Sequence, residues 1–388
     1  MTDIKLTDDK YVAHTYGRFP VEIVSGKGSI LKDSDGKEYI DMGSGIAVSS
    51  FGTADDVWIK AVTDQLNTLQ HTSNLFYTSP CASLAKMLCE KTGMKKVFFS
   101  NSGAEANECA IKAARRYAED KKGKDCFNII TLKNSFHGRT VTTLAATGQD
   151  VMHEHFAPFP EGFLYAEANN FESVEKLVKE NKVAAIMMEM VQGEGGVIPL
   201  SKDFVKSIAE LCSKEDILLV IDEVQTGNGR TGHLYAYMEY GIMPDIVSTA
   251  KGLAGGLPLG ATMFSSKTED VYTPGSHGST FGGNPVCCAG AISIFERLTD
   301  EFLNEVKIRS EYIINELSGA SGIKSITGKG LMLGIETEKS AADVLAACRE
   351  NGVIVLTAKT KVRLLPPLNI PMEALKKAVS VIKDACAL

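Results

Sequence analysis

At 388 residues, with 44% hydrophobic and 23% charged side chains, the chain has ordinary globular composition and length for two or three domains. Its net charge of −7 argues against a nucleic-acid surface, and no stretch approaches the roughly 18 apolar residues of a membrane span. Nine cysteines, an odd number with no C-x-x-C pair, point to reduced thiols and a cytoplasmic protein.

The amino-terminal Met1-Thr2-Asp3-Ile4-Lys5 carries no apolar leader segment. Residues 11–50 hold Tyr16-Gly17-Arg18-Phe19-Pro20 and short apolar pieces punctuated by glycines, the pattern of strand pairs, with Asp35-Gly36 as a hairpin. Helical spacing runs from Ala54 to Leu66, a polar loop follows at His71-Thr72-Ser73-Asn74, and a further helix is predicted over 80–91. A short strand at 96–99 leads through Ser100-Asn101-Ser102-Gly103-Ala104-Glu105 into a helix predicted over 106–119, with Ser102 and Glu105 spaced as a capping box. A strand, a small-residue turn and a helix start also gather free N–H groups around a positive dipole, a cup for a phosphate.

A strand over 128–132 ends in Asn134-Ser135-Phe136-His137-Gly138-Arg139-Thr140. Phe136 is suited to stack on a flat ring and Arg139 to grip a carboxylate; a core phenylalanine and a surface arginine are the plainer alternatives. His153-x-His155 lacks the further ligands of a metal site. A helix over 172–182 and a strand over 183–188 lead to Glu189-Met190-Val191-Gln192-Gly193-Glu194-Gly195-Gly196, where the glycines let Glu194 approach a ligand. A helix over 202–216 completes the β-α-β rhythm.

The chain is organised around residues 217–251. The apolar run Ile217–Ile221 reads as a strand buried in a parallel sheet, and Asp222 stands at its carboxyl end, where open α/β sheets place ligands. A second run, Asp245–Ala250, ends by delivering Lys251. This acid and amine are the pair that pyridoxal phosphate needs: a lysine for its aldehyde and a carboxylate to keep its pyridine nitrogen protonated. A turn cap and a solvated lysine are the competing readings. Between them Gly227-Asn228-Gly229-Arg230-Thr231-Gly232 matches G-x-G-x-x-G after a strand, the setting of a dinucleotide fingerprint. Asp222 and Glu223 directly before it would repel a pyrophosphate, and Asp245 precedes the next strand instead of ending it.

Beyond Lys251 a strand is expected over 259–264, then a ligand-facing loop over 275–285. A long helical segment over about 286–317, a helix over 340–350, strands over 353–356 and 362–366 and a last helix over 372–386 suggest a separate carboxy-terminal domain. Arg363, alone in an apolar strand, is expected to face an anion, either a structural partner or a substrate carboxylate.

Seven segments in order carry a resemblance: Tyr16–Pro20, His71–Asn74, Asn101–Asn107, Phe136–Thr140, Gln192–Gly196, Asp222–Gln225 and Ser279–Pro285. Along essentially the whole chain they resemble the class III aminotransferase group of fold-type I pyridoxal-phosphate enzymes. The resemblance implies an α/β fold with a mostly parallel central sheet in a large cofactor domain, 51–283, and a smaller α/β domain formed by both termini, 1–50 and 284–388. It makes Lys251 the cofactor lysine and proton shuttle and Asp222 the partner of the pyridine nitrogen. Phe136 would stack on the ring, Gln225 would bond its oxygen, and Glu223 and Val224 would lie alongside. Ser102, Gly103 and Ala104 would hold the phosphate, which Thr280 would reach from a partner subunit; that implies a homodimer with shared sites. Arg139, with Tyr16 and Ser279, would bind the α-carboxylate of an acetylated diamine. Arg363 would take the α-carboxylate of glutamate or 2-oxoglutarate, with Glu194 masking it when the other substrate is bound. Met190 departs from the proline that family members commonly carry. The amine donor stays open, because transaminases of ornithine, succinylornithine, succinyldiaminopimelate and 4-aminobutyrate share much of this motif set.

Overall fold

The computed structural model describes residues 4–387; Met1–Asp3 and Leu388, the tips of the two expected terminal segments, lie outside the described residues. Its body is a seven-stranded sheet in the order Lys96–Ser100, Gly260–Phe264, Ile246–Thr249, Leu218–Asp222, Val183–Glu189, Asn128–Leu132, Phe163–Ala166. Only Gly260–Phe264 runs antiparallel to its neighbours. The two central strands, Leu218–Asp222 and Val183–Glu189, are buried at every residue, as their unbroken apolar runs require.

Alternation along these strands divides the core in two. Leu218 and Val220 join Ala185 and Met187 against Cys109, Ala110, Ala113 and Ala114 of the helix Gly103–Lys122. Leu219 and Ile221 turn the other way, toward Phe204, Ile208 and Leu211 of the helix Lys202–Glu215. The small residues on Gly103–Lys122 let it lie close to the sheet. By the same period of two, Asp222 and Glu189 end their strands on the side of that helix, and they are register partners.

Both ends of the chain join one further sheet: Ile23–Lys27, Ile30–Asp33 and Glu38–Asp41, with Val353–Ile354 pairing parallel to Glu38–Asp41. The Asp35-Gly36 hairpin forms as its sequence indicates, with Asp33 Oδ1 accepting the N–H groups of Asp35 and Lys37 and Gly36 at φ +83°. A four-stranded antiparallel sheet, Ile323–Lys329, Met332–Thr337, Lys361–Leu364 and Leu356–Ala358, carries Arg363.

The long helix expected over 286–317 is two helices, Pro285–Phe295 and Asp300–Leu317. Thr299 caps the second by accepting the Phe302 N–H, and Asp300 and Glu301 complement its dipole. The first packs on Asp56–Thr68 and Ser79–Thr92, helices of the expected large domain, and is buried around most of its circumference. A short helix, Ile4–Tyr11, was not foreseen. Among the described residues, no helix is long and apolar enough to cross a membrane.

Candidate active site

Asp222 is the most heavily held carboxylate of the site. Its Oδ2 accepts from Asn107 Nδ2 at 2.7 Å and His137 Nδ1 at 2.8 Å, and its Oδ1 from the Val224 N–H at 3.0 Å. Asn107 is itself oriented, donating also to the His137 carbonyl at 2.7 Å and accepting from Ser248 Oγ at 2.5 Å. With a carboxylate as acceptor, the His137 proton sits on Nδ1; its buried Nε2 has no hydrogen-bond partner among the described residues. Three donors fix the direction in which Asp222 presents its charge. Asn107 and His137 lie inside motifs read from the sequence, yet were assigned no role there.

Lys251 follows the strand Ile246–Thr249 at φ +48°, in the left-handed region that costs a non-glycine residue about 1–3 kcal/mol. Burial pushes its ammonium below the ordinary lysine range, against the fields of Glu194 and Asp222, so the neutral amine is made more accessible. The glycine loop that imitates a dinucleotide fingerprint serves this strand end. Asn228 donates to Ala250 O at 3.0 Å and Thr249 Oγ1 at 3.1 Å, while the buried Arg230 donates to Leu331 O at 3.0 Å and Pro366 O at 2.6 Å. That loop holds the strand end that delivers Lys251 to the carboxy-terminal segments around Leu331 and Pro366.

At the start of the helix Gly103–Lys122, Ser102 Oγ accepts the Glu105 N–H at 3.1 Å and Ser102 O accepts that of Ala106 at 3.0 Å. Glu105 reaches back to the Asn101 N–H at 2.7 Å, one residue beyond the Ser102 N–H of the expected reciprocal box. The N–H groups of Gly103 and Ala104 therefore stand at the positive end of the helix dipole. A Cβ on Gly103 would lie 2.6 Å from Val224 Cγ1, and one on Gly138 2.9 Å from Ala104 Cβ. These close approaches bring the turn after Asp222 and the Phe136–Arg139 loop onto one cup. Phe136 is half-buried, its N–H donating to Glu189 Oε2 at 3.0 Å, and the exposed Arg139 guanidinium lies 5.5 Å from the Phe136 ring centre.

Arg363, 3% exposed, donates from Nη1 to Glu194 Oε1 at 2.5 Å and to Gln225 Oε1 at 3.4 Å. Burial would raise the Glu194 pKa, but the Arg363 charge and hydrogen bond bring it below the usual carboxylate range. Glu189 behaves oppositely. Burial and the neighbouring Asp222 charge raise its pKa well above that range, outweighing the Phe136 N–H and Lys251.

The remaining expected residues lie elsewhere. The Glu223 carboxylate turns into the core, accepting from Thr226 Oγ1 at 2.5 Å and the Tyr237 N–H at 2.8 Å. One step along a strand reverses the face. Tyr16 is 75% exposed beside Arg18, in a surface groove with Phe19 and Arg349. Thr280 is exposed, and Ser279 Oγ accepts from Asn101 Nδ2 at 3.0 Å and the Gly282 N–H at 2.9 Å.

Residues 11–386 match the family model for aminotransferase class III. The chain belongs to this family. A curated relative, acetylornithine aminotransferase of Haemophilus ducreyi, is 49% identical over 98% of this chain and 97% of its own. The solved structure of ornithine aminotransferase from Toxoplasma gondii, with PLP in partial occupancy at its active site, aligns with a TM-score of 0.94 at 33% identity, covering 99% and 94% of the two chains. N-acetylornithine aminotransferase from Stenotrophomonas maltophilia aligns at 0.84 and 34% identity, covering 96% and 97%. As a class-III aminotransferase the chain is a transaminase of fold type I, and its cofactor is pyridoxal phosphate. The residues present fit that group. The Gly103 cup, which a single Cβ would fill, suits a phosphate, and Asp222 and Lys251 supply the carboxylate and amine.

Proposed function

We propose that this aminotransferase moves the terminal amino group of N2-acetylornithine to 2-oxoglutarate, giving N-acetylglutamate 5-semialdehyde and glutamate, a step of arginine biosynthesis. The observation that carries this reading is the 2.5 Å Glu194–Arg363 pair beside Lys251. An enzyme whose two substrates differ in where they carry a carboxylate needs a guanidinium that is offered to one and covered for the other. The acetylated donor is favoured by the curated relatives, named acetylornithine aminotransferase at 41–49% identity.

Pyridoxal phosphate, when bound, supplies an electron sink for charge that develops as a carbon–hydrogen bond breaks. The chain does the rest. Gly103 and Ala104 N–H groups hold the phosphate, and Ser102 shapes the cup. Phe136 covers one face of the ring, and Val224 and Gln225 line its edge. Asp222, oriented by Asn107 and His137, keeps the proton on the pyridine nitrogen. The Lys251 amine takes the proton from the amine-bearing carbon of the donor and, in the second half-reaction, delivers one to the former keto carbon of the acceptor. Arg139 binds the α-carboxylate of the donor, and Arg363 that of 2-oxoglutarate once Glu194 swings aside.

A homodimer with shared sites completes this reading. Leu75, Phe76, Tyr77 and Phe281 form exposed apolar surface, and Asn74 ties their segments together by donating to Ser279 O and Gly282 O at 3.0 and 2.9 Å. A second copy covering it would bring Thr280 to the partner's phosphate, and Tyr16 and Ser279 toward the donor. Nine free cysteines fit a cytoplasmic location.

The test is the visible absorbance of the holoenzyme before and after N-acetylornithine, ornithine, succinylornithine and 4-aminobutyrate, added separately. Loss of the band with N-acetylornithine and its return with 2-oxoglutarate is expected. A response confined to ornithine or 4-aminobutyrate would overturn the donor. In half-reactions, Arg139→Ala should impair the donor half and Arg363→Ala the 2-oxoglutarate half; equal losses in both would refute the division of labour.

A further inference from the structure

Glu189 has no part in the chemistry derived above, yet few side chains are better placed to affect it. It ends the strand beside Leu218–Asp222, in register with Asp222 and on the same face of the sheet. It is 6% exposed, and its Oε2 accepts the backbone N–H of Phe136 at 3.0 Å. The charged groups that face it are Asp222 from the adjacent strand, Lys251 beyond the next, and Glu194 from the glycine turn that follows Glu189 itself. Phe136 leaves its own strand through Lys133-Asn134-Ser135, with Asn134 at φ +65°. The Glu189 carboxyl is therefore a direct link between the sheet and the backbone that aims the Phe136 ring.

We propose that Glu189 is a positioning residue: its carboxyl anchors the Phe136 backbone, and with it the ring over the cofactor, beside the more heavily hydrogen-bonded Asp222. This rests on Phe136 being the ring-stacking residue. The two carboxylates are not equivalent in their surroundings. Asp222 receives three donors, Asn107, His137 and the Val224 N–H, and Glu189 receives the Phe136 N–H. Where two carboxylates share a buried site, the better-solvated one keeps the charge and the other keeps the proton. The rise of the Glu189 pKa, from burial first and Asp222 second, agrees with that partition. A neutral Glu189 still accepts the Phe136 N–H and adds no charge to compete for the pyridine proton.

The experiment compares Glu189→Ala, Glu189→Gln, Phe136→Ala and the Glu189→Ala/Phe136→Ala double variant, reading cofactor dissociation and the visible circular dichroism of the bound cofactor. Removing the acceptor leaves the part-buried Phe136 N–H without its anchor, so Glu189→Ala should weaken cofactor binding about tenfold and diminish the visible dichroism. The double variant should lose no more than the worse single, because both act through one ring. Glu189→Gln, which keeps an acceptor oxygen and cannot ionise, should restore binding to within about threefold and give a pH profile of kcat/KM superimposable on the parent's. If the alanine variant is unfolded by far-ultraviolet dichroism, Glu189→Met, of similar volume and without the acceptor, takes its place. Additive losses, or a glutamine variant as impaired as alanine, would overturn the proposal. Unchanged cofactor affinity in Phe136→Ala would refute the stacking reading itself; a loss there without coupling to Glu189 refutes only the inference.

Discussion

Replacing Glu223 by glutamine should make the holoenzyme progressively more stable than its parent as pH rises. The Glu223 carboxyl is fully buried, and burial pushes its pKa up to about 7 from an ordinary value of 4.5, against the hydrogen bonds from Thr226 and the Tyr237 N–H. A folded pKa above the unfolded one means that the folded chain binds the extra proton. The contribution of Glu223 is complete below pH about 4.5 and is lost as pH climbs through about 7. At about 1.4 kcal/mol per pKa unit, that separation amounts to roughly 3 kcal/mol, which the glutamine variant does not lose. For a chain of this length the same energy corresponds to about 4 °C in Tm. Thermal unfolding followed by circular dichroism, with cofactor in excess, should show the gap between variant and parent widening by that amount from pH 5 to pH 8. A gap of equal size at both pH values would refute the reasoning.

Lys251→Ala should abolish the visible absorbance of added cofactor together with transamination, measured by absorbance and glutamate release, while the far-ultraviolet spectrum is unchanged. Gly103→Ala drives a Cβ to within 2.6 Å of Val224 Cγ1 and should weaken cofactor binding about tenfold, with Val224→Ala on the same chain recovering part of it. Thr299→Ala removes the cap of Asp300–Leu317 and should cost about 1 kcal/mol in denaturant unfolding, with no change in KM for either substrate.

What the sequence disclosed of the site was what lies at strand ends. Asp222 and Lys251 each close an apolar run, so their position follows from burial and the geometry of a parallel sheet. Asn107 and His137 were harder to assign because their partner, Asp222, lies 115 and 85 residues away and meets them only once sheet, helix and loop are assembled. The Glu223 carboxylate turns to Thr226 and Tyr237, because the period of two sends it to the face opposite that of its neighbour Asp222. The break at Thr299 was written in Thr299-Asp300-Glu301, but continuous apolar spacing on either side concealed it. Thr280 and Tyr16 are exposed in one chain, and no pattern within that chain can say what covers them.

The Glu194–Arg363 pair also bears on how such a site changes substrates. Glu194 has a folded pKa below its ordinary value because the Arg363 charge and hydrogen bond outweigh burial. A depressed carboxylate keeps its contribution everywhere above the unfolded pKa of about 4.3 and loses it only as pH falls through the lower folded value. Across pH 6–9 the cover over Arg363 is therefore held by a full ion pair, and protonation cannot lift it. Only a competing carboxylate can. Glutarate, a diacid with no reactive carbonyl, should then displace Glu194 from the buried Arg363 guanidinium with an affinity that is close to flat from pH 6 to pH 9, because the Glu194 carboxyl carries the same charge throughout that range. Binding measured by perturbation of the cofactor absorbance would check this. A glutarate affinity that strengthens as pH drops within that range would mean that Glu194 is being protonated, and that the pair is a pH switch in place of a ligand-operated gate.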